Sequence, residues 1–514
     1  MPAHRSTLLA GLLVCFIGVI YLTTIREGHV WGDDHAAYIA HAKNISEGRN
    51  YGAIGYVRSP SSINPQMYPP GYPLLLAPVY HFSGLNLTAM KVMNIGFFCA
   101  ALFVCFLLFR NYGNRVALAT VGIIGACPYF WDFKDILYSE YPFLALTYGA
   151  LLVGCRADGK NQTHRLQILL GMAAGALCGL AYATRNVGIV LPAAICLSNF
   201  VVTRKITRFS ILTVVGFVVV AAGQKLLFDL QSDYLGPLLQ VLSIRSLMGT
   251  PWYYFKCLAV IWDNGYSGTW QMMLYSVMVG LALHGAWIRY KQQWTGVEFF
   301  TLFYLALIVL FPWGGRRYLM PIMPMFVLYA LVGLRALAQR WPAAGQLDSH
   351  SDALAVKATD LSEARYTPPP YRLRTVTRCL FGLPGFIALA ILATFLLKYS
   401  TLPWFVIPGG VQTPGFTELV EYIKRDAGVT GPVVFSKARL LALYSGKPVA
   451  DGFNTNNPDK VLAYYRQIGT SRFIVQQDGD EPGNAQLANF VADHPEYFVP
   501  EKQFGMFRVL KFVN

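Results

Sequence analysis

The chain of 514 residues is poor in charge. Only 13% of its residues are Asp, Glu, Lys or Arg, against about 25% in an ordinary soluble domain. It has no CxxC pair and no Cys/His spacing of a zinc site, and its nine cysteines all precede residue 380. Neither a disulfide scaffold nor a structural metal is therefore supported, and the cysteines read as small apolar packing residues. No Gly-rich dinucleotide fingerprint, P-loop or internal repeat occurs, which removes the common nucleotide-binding and solenoid readings. What the chain has is apolar surface: 54% hydrophobic residues and a mean hydropathy of +0.41, more than a soluble fold of this size hides. The composition reads as a polytopic α-helical membrane protein and excludes a disordered, collagenous or cytosolic globular chain.

The net charge of +15 is unevenly placed. Residues 400–514 carry 11 basic and 11 acidic side chains, so the excess lies in residues 1–399. That is not the basic face of a nucleic-acid-binding module. An apolar run long enough for a bilayer covers 6–25, and further apolar spans, several of them short or carrying Pro and Gly, follow near 89–109, 116–130, 141–155, 166–183, 187–203, 209–228, 271–288, 297–312, 318–338 and 379–399, about 11 in all. The first run is too long for a cleaved signal. With the N-terminus inside, the inner connections hold 18 basic and 6 acidic residues and the outer ones of the membrane part 13 and 10, the expected inside-positive bias. Three long segments then lie outside: 26–88, 229–270 and the tail after 400. The inner stretch 340–378, with Thr367-Pro368-Pro369-Pro370, reads as a linker. Residues 1–399 form one transmembrane module and 400–514 a small extracytoplasmic α/β domain, with helices expected at 416–426, 440–444 and 458–468 and strands at 432–435, 472–476 and 506–512.

The chemistry concentrates on the outer side. Trp31-Gly32-Asp33-Asp34-His35 puts two carboxylates a few residues beyond the first span. Held at headgroup level, a carboxylate is partly desolvated, which raises its pKa and suits it to proton abstraction. The plain alternative is that one of them caps a helix over 36–46. Asp132, Asp135 and Glu140 occupy the next outer loop, Arg185 the tight turn Thr184-Arg185-Asn186, and Arg316 and Arg317 the start of the span after Trp313-Gly314-Gly315. Arginines on the outer side run against the charge bias. They suit bidentate phosphate binding, with snorkelling to lipid headgroups as the alternative. His35 and His41 lack a metal-binding spacing and read as interfacial polar residues.

In order, these are a first span, an Asp-Asp pair, an amphipathic helix, Tyr68-Pro69-Pro70-Gly71-Tyr72-Pro73, Tyr138-Ser139-Glu140, a Thr-Arg turn, and Arg317-Tyr318-Leu319 running to Pro324. The series resembles the GT-C superfamily of integral membrane glycosyltransferases over residues 6–340, closest to its protein O-mannosyltransferase and lipid A aminoarabinose transferase branches. The tail resembles the outer domains of bacterial members through residues 437–446.

The resemblance implies a polyprenyl-phosphate sugar donor, transfer to a hydroxyl on the non-cytoplasmic face, and inversion. It assigns Asp33 as base with Asp34 beside it, and Glu140 as a further acidic group. Asp132, Asp135, Tyr68, Arg185, Arg316, Arg317 and Tyr318 become substrate contacts. The aminoarabinose transferases carry Lys where this chain has Tyr68, so one phosphate contact is missing. No metal or other cofactor is expected. The acceptor stays open between glycan, lipid and protein, with membrane lipids as surroundings and a bacterial inner membrane as location, the N-terminus cytoplasmic and the tail periplasmic. A transporter or flippase would instead carry charges at midplane in broken helices, and here the charged residues lie near the span ends. A non-catalytic scaffold presenting the tail leaves the outer charges without a task.

Overall fold

The computed structural model describes residues 3–60, 62, 64–158, 163–230, 244–292, 294–310, 314–340, 383–425, 431–453, 455, 457–477 and 482–513. The expected inner linker, apart from residue 340, lies outside the described residues, as does Trp313.

The membrane part is helical throughout. Its helices are α1 (Ala3–Thr23), α2 (Asp33–Ser46), α3 (Gly71–Ser83), α4 (Leu87–Phe109), α5 (Asn114–Ala126), α6 (Pro128–Phe133), α7 (Glu140–Ala157), α8 (His164–Thr184), α9 (Val190–Thr203), α10 (Arg208–Phe228), α11 (Ile244–Leu258), α12 (Gly268–Lys291), α13 (Gly296–Leu310), α14 (Met323–Arg340) and α15 (Leu383–Thr401). A helix lies over each of the eleven expected spans. Seven, among the described residues, are long and apolar enough to cross a membrane, and α5, α13 and α14 are apolar but shorter. Helices α3 and α11 were not expected; neither is long enough to register as a span.

With lipid outside, close packing rather than hydrophobic burial holds such helices together, and small residues permit it. Gly285 of α12 and Gly333 of α14 meet backbone to backbone. A Cβ on Gly285 would stand 2.0 Å from the Tyr329 carbonyl oxygen, and one on Gly333 2.1 Å from that of Leu281. Gly175 of α8 and Gly216 of α10 repeat the arrangement. Polar groups gather at the helix ends. On one side Glu298 accepts from the Tyr112 hydroxyl (2.8 Å) and Arg289 (3.2 Å), and Asp158 accepts from Ser198 (2.7 Å) and Asn199 (3.1 Å). The other side carries the long connections and the tail.

The tail comprises α16 (Pro414–Arg425), β2 (Val433–Phe435), α17 (Ala438–Ser445), β3 (Val449–Ala450), α18 (Pro458–Gln467), β4 (Arg472–Gln476), α19 (Pro482–Asp493), β5 (Phe498–Phe504) and β6 (Phe507–Phe512). Every expected tail element is present; β3, β5 and α19 were not foreseen. The six-stranded sheet has the order β1-β3-β2-β4-β6-β5. Its first strand, β1 (Tyr56–Val57), comes from the long connection between α2 and α3 and pairs in parallel with β3, Tyr56 opposite Val449 and Val57 opposite Ala450. The sheet therefore crosses the boundary at residue 400. So does the core: Ala36, Ile39, Tyr72 and Leu76 of α2 and α3 pack with Leu419, Val433, Leu440 and Leu441, while Val434, Val461, Leu462 and Phe473 form a second cluster on the opposite face.

Candidate active site

Helix α2 begins at Asp33 because Gly32 takes an extended conformation (φ −61°, ψ 129°) and ends the loop. Asp33 and Asp34 sit in its first turn, where carboxylates favour the helix dipole, but neither acts as its N-cap; that residue is Gly32, with no side-chain cap hydrogen bond. The helix-cap alternative is thus replaced by longer-range contacts. Asp34 Oδ2 pairs with Arg317 Nη2 at 2.6 Å, and Oδ1 accepts from the Tyr68 hydroxyl at 2.6 Å with Arg439 Nη1 at 3.4 Å. Asp33 Oδ1 accepts from the Leu440 amide at 3.0 Å, and Oδ2 lies 3.6 Å from Arg439 Nε.

Glu140, the first residue of α7, is buried against the Arg185 guanidinium in an ion pair that is close but not aligned as a hydrogen bond, and Arg317 Nε stands 3.7 Å from the same oxygen. Arg185 ends α8, and Arg317 lies in a short 3-10 turn, Arg316–Leu319. Tyr318 lies under both guanidiniums, 5.3 Å from that of Arg185 and 5.4 Å from that of Arg317; Tyr138 faces Arg317 at 4.5 Å. These are cation–π distances. Three carboxylates thus face three guanidiniums in a charge-balanced cluster built from five chain segments.

The two aspartates differ electrically. Burial pushes the Asp33 carboxyl above its ordinary value, against the pull of Arg439 and the Leu440 amide. Burial acts on Asp34 as well, but Arg317, Arg439 and the Tyr68 hydroxyl outweigh it and hold the group below its ordinary value. Neighbours of opposite environment commonly mark a divided acid–base role.

Other expected residues lie elsewhere. Asp135 is fully buried in a separate knot, paired with Arg26 Nε (2.7 Å), Lys134 Nζ (2.6 Å) and Lys91 Nζ (3.8 Å), and Asp132 pairs with Arg26 Nη2 at 2.8 Å. A buried carboxylate already matched by three cations is fastening α1, α4 and the α6 turn together, not waiting for substrate. Arg316 is exposed and forms no ion pair among the described residues. His35 and His41, expected at the interface, are fully buried; His35 stacks on His29 at 3.5 Å, and burial lowers His41 to about 4. Among the described residues no three His, Cys, Asp or Glu side chains converge as a metal site.

Arg439 is the residue that sequence reasoning missed. It lies in α17, hydrogen-bonds the Tyr68 hydroxyl, and stands between the rings of Tyr56 (5.1 Å) and Tyr68 (5.2 Å). The tail segment 437–446 had drawn notice as a resemblance, but nothing local in it marks a site residue.

A bundle of membrane helices with a C-terminal α/β domain packed on it defines the class by its fold: the chain has the GT-C fold of integral membrane glycosyltransferases. Residues 67–228 match the family model of dolichyl-phosphate-mannose-protein mannosyltransferases. ArnT from Cupriavidus metallidurans, solved bound to undecaprenyl phosphate, superposes with a TM-score of 0.58 at 14% identity, covering 98% of this chain and 97% of that one. The oligosaccharyltransferase AglB from Archaeoglobus fulgidus, solved with an inhibitory peptide and a dolichol-phosphate, gives 0.56 at 12% identity over 98% and 73%. The mycobacterial arabinofuranosyltransferase AftD gives 0.53 at 11% over 100% and 42%. No curated protein matches the sequence. The superfamily resemblance read from the sequence is borne out in the fold.

Proposed function

We propose that the protein transfers a sugar from a polyprenyl-phosphate donor to an acceptor hydroxyl on the outer face of the membrane, with inversion. The observation that carries this reading is the convergence of Asp33, Asp34, Glu140, Arg185 and Arg317 at the helix ends on the side of the long connections. A transporter site at midplane finds no such support.

In the reaction the acceptor oxygen attacks the anomeric carbon from the face opposite the phosphate. Its proton passes to Asp33, the sugar–phosphate bond breaks, and the electron pair leaves with the phosphate. Asp33 suits the base because burial raises its proton affinity and its Oδ2 has only a loose contact, 3.6 Å from Arg439 Nε. Asp34 stays ionised and holds Arg317 in place. Arg185 and Arg317, with exposed Arg316 reaching from outside, stabilise charge developing on the leaving phosphate, a preorganised effect worth about 3–4 kcal/mol per contact. Holding donor and acceptor in line supplies much of the remaining acceleration. Tyr68 stands where the missing lysine was expected and serves Asp34 instead of phosphate.

The test is radiolabel transfer by purified protein in nanodiscs, offered a panel of polyprenyl-phosphate sugars and a cell-envelope extract. Donor consumption that Asp33→Asn abolishes supports the reading. No donor consumed from the panel, or full activity in both Asp33→Asn and Asp34→Asn, overturns it.

A further inference from the structure

A second cavity lies in the tail, outside the charge cluster. Strands β2 and β3 are adjacent and parallel, yet the helices that follow them go to opposite faces of the sheet: α17 packs with Val433 and Phe435, α18 with Val434. In open α/β sheets the carboxyl ends of two such strands form a crevice, and ligands bind there. Ser436 follows β2 and Asp451 follows β3, and both line a cavity of about 260 Å³. Phe453, Tyr465 and Phe490 supply ring faces, and Thr455 and Gln486 further polar groups. The Ser436 hydroxyl is buried and has no hydrogen-bond partner among the described residues, a state that natural structures rarely leave unexplained. A broader cleft of about 470 Å³ shares Thr455, Val461, Gln486 and Phe490 and continues the cavity between α18 and α19.

The chemistry selects the ligand. No Lys or Arg is among the lining residues and Asp451 is, so an anion is disfavoured. Asp451 is itself fixed, accepting from the Tyr56 hydroxyl (2.9 Å) and the Ser59 amide (3.2 Å), with Ser62 also bound. Aromatic faces with a few oriented hydroxyl, amide and carboxylate groups match a sugar ring. We infer that this pocket binds an uncharged or amino-bearing sugar unit of a glycan acceptor. The inference rests on the transfer reading above and makes a glycan the acceptor class. The pocket is linked to the charge cluster by contacts: its Asp451 accepts from the Tyr56 hydroxyl at 2.9 Å, and the Tyr56 ring faces the Arg439 guanidinium at 5.1 Å.

The test is saturation-transfer NMR on the full chain in nanodiscs. The probes are methyl glycosides of glucose, mannose, galactose and N-acetylglucosamine, with glycerol 3-phosphate as the anionic control. At least one glycoside should bind wild type and Asp34→Asn alike, and at least tenfold more weakly to Ser436→Val and to Gln486→Ala, the second being an exposed position that leaves the fold intact. Binding of no glycoside, equal binding by both pocket variants, or preference for glycerol 3-phosphate overturns the inference. Sugar binding by a chain that consumes no donor leaves the pocket standing and removes only the transfer reading; donor consumption without sugar binding does the reverse.

Discussion

Asp33 accepts a hydrogen bond from the amide of Leu440, 3.0 Å away in space and 407 residues away in sequence. Leu440 is in the first turn of α17, whose own N-cap, Lys437, offers no side-chain hydrogen bond. The carboxylate thus caps, from another helix, an end that is ordinarily capped locally. One side chain joins the membrane part to the tail and stands in the charge cluster.

The two duties separate by substitution. Asp33→Asn keeps an oxygen for the Leu440 amide and should leave the melting temperature nearly unchanged, while transfer falls by about 10²–10⁴, the range of a lost general base. Asp33→Ala should lose the same activity and in addition about 0.5–2 kcal/mol of stability. Thermal shift beside the radiolabel assay reads both; equal melting of the two variants would contradict the capping role.

Acidification should lower the rate before it lowers the stability. Asp33 is raised by burial, so it protonates at a pH above the ordinary Asp value of about 3.9, and transfer falls there. Asp34 has a depressed folded-state pKa. Its contribution to stability is complete above the ordinary value and is lost only as pH falls through the lower one. A kcat/KM profile that breaks at the same pH as the melting curve would speak against this division.

Arg439→Met should reduce transfer at least tenfold and lower stability by about 1–3 kcal/mol, because Asp33, Asp34 and Tyr68 lose a shared donor. Arg439→Lys should not restore activity. An ammonium lacks the planar fork that reaches both aspartates while stacking between Tyr56 and Tyr68. Full rescue by lysine would reduce Arg439 to a point charge.

Asp135→Asn should cost about 3–5 kcal/mol, since it removes the one carboxylate shared by buried Arg26, Lys91 and Lys134. Asp132→Asn, whose side chain is 46% exposed, should cost no more than about 1 kcal/mol. Donor affinity, measured on the folded fraction, should be unaffected in both; a selective loss of donor binding would return these residues to the site.

The membrane helices were legible because length and apolarity are properties of one segment at a time, and among the described residues seven of the expected spans are helices long and apolar enough to cross a membrane. Asp33, Asp34, Glu140, Arg185 and Arg317 were legible as chemistry because their residue types suit an outer-face anion site, and the fold does bring them together. Asp132 and Asp135 looked equivalent to Glu140 in sequence; what distinguishes them is the company of Arg26, Lys91 and Lys134, which only packing reveals. Arg439 was out of reach for the same reason, lying 405 positions from Asp34. Strand β3 has two residues, and β5 is mostly exposed and contains Pro500, so neither shows the alternation that marks a strand. His35 and His41 are buried against the ordinary preference of the residue.

The pairing of β1 with β3 sets an order of assembly. Tyr56 and Val57 are made early in synthesis, but the strand they pair with is residues 449–450, and the guanidinium that faces Asp33 is residue 439. A nascent chain made only as far as α15 already holds Arg317 for Asp34, but Asp33 still lacks both Arg439 and the Leu440 amide, and β1 lacks its strand partner. The residues that complete the Asp33 environment and the sheet are thus the last to be made, and the first loop reaches its folded contacts only once residues 439–450 are in place.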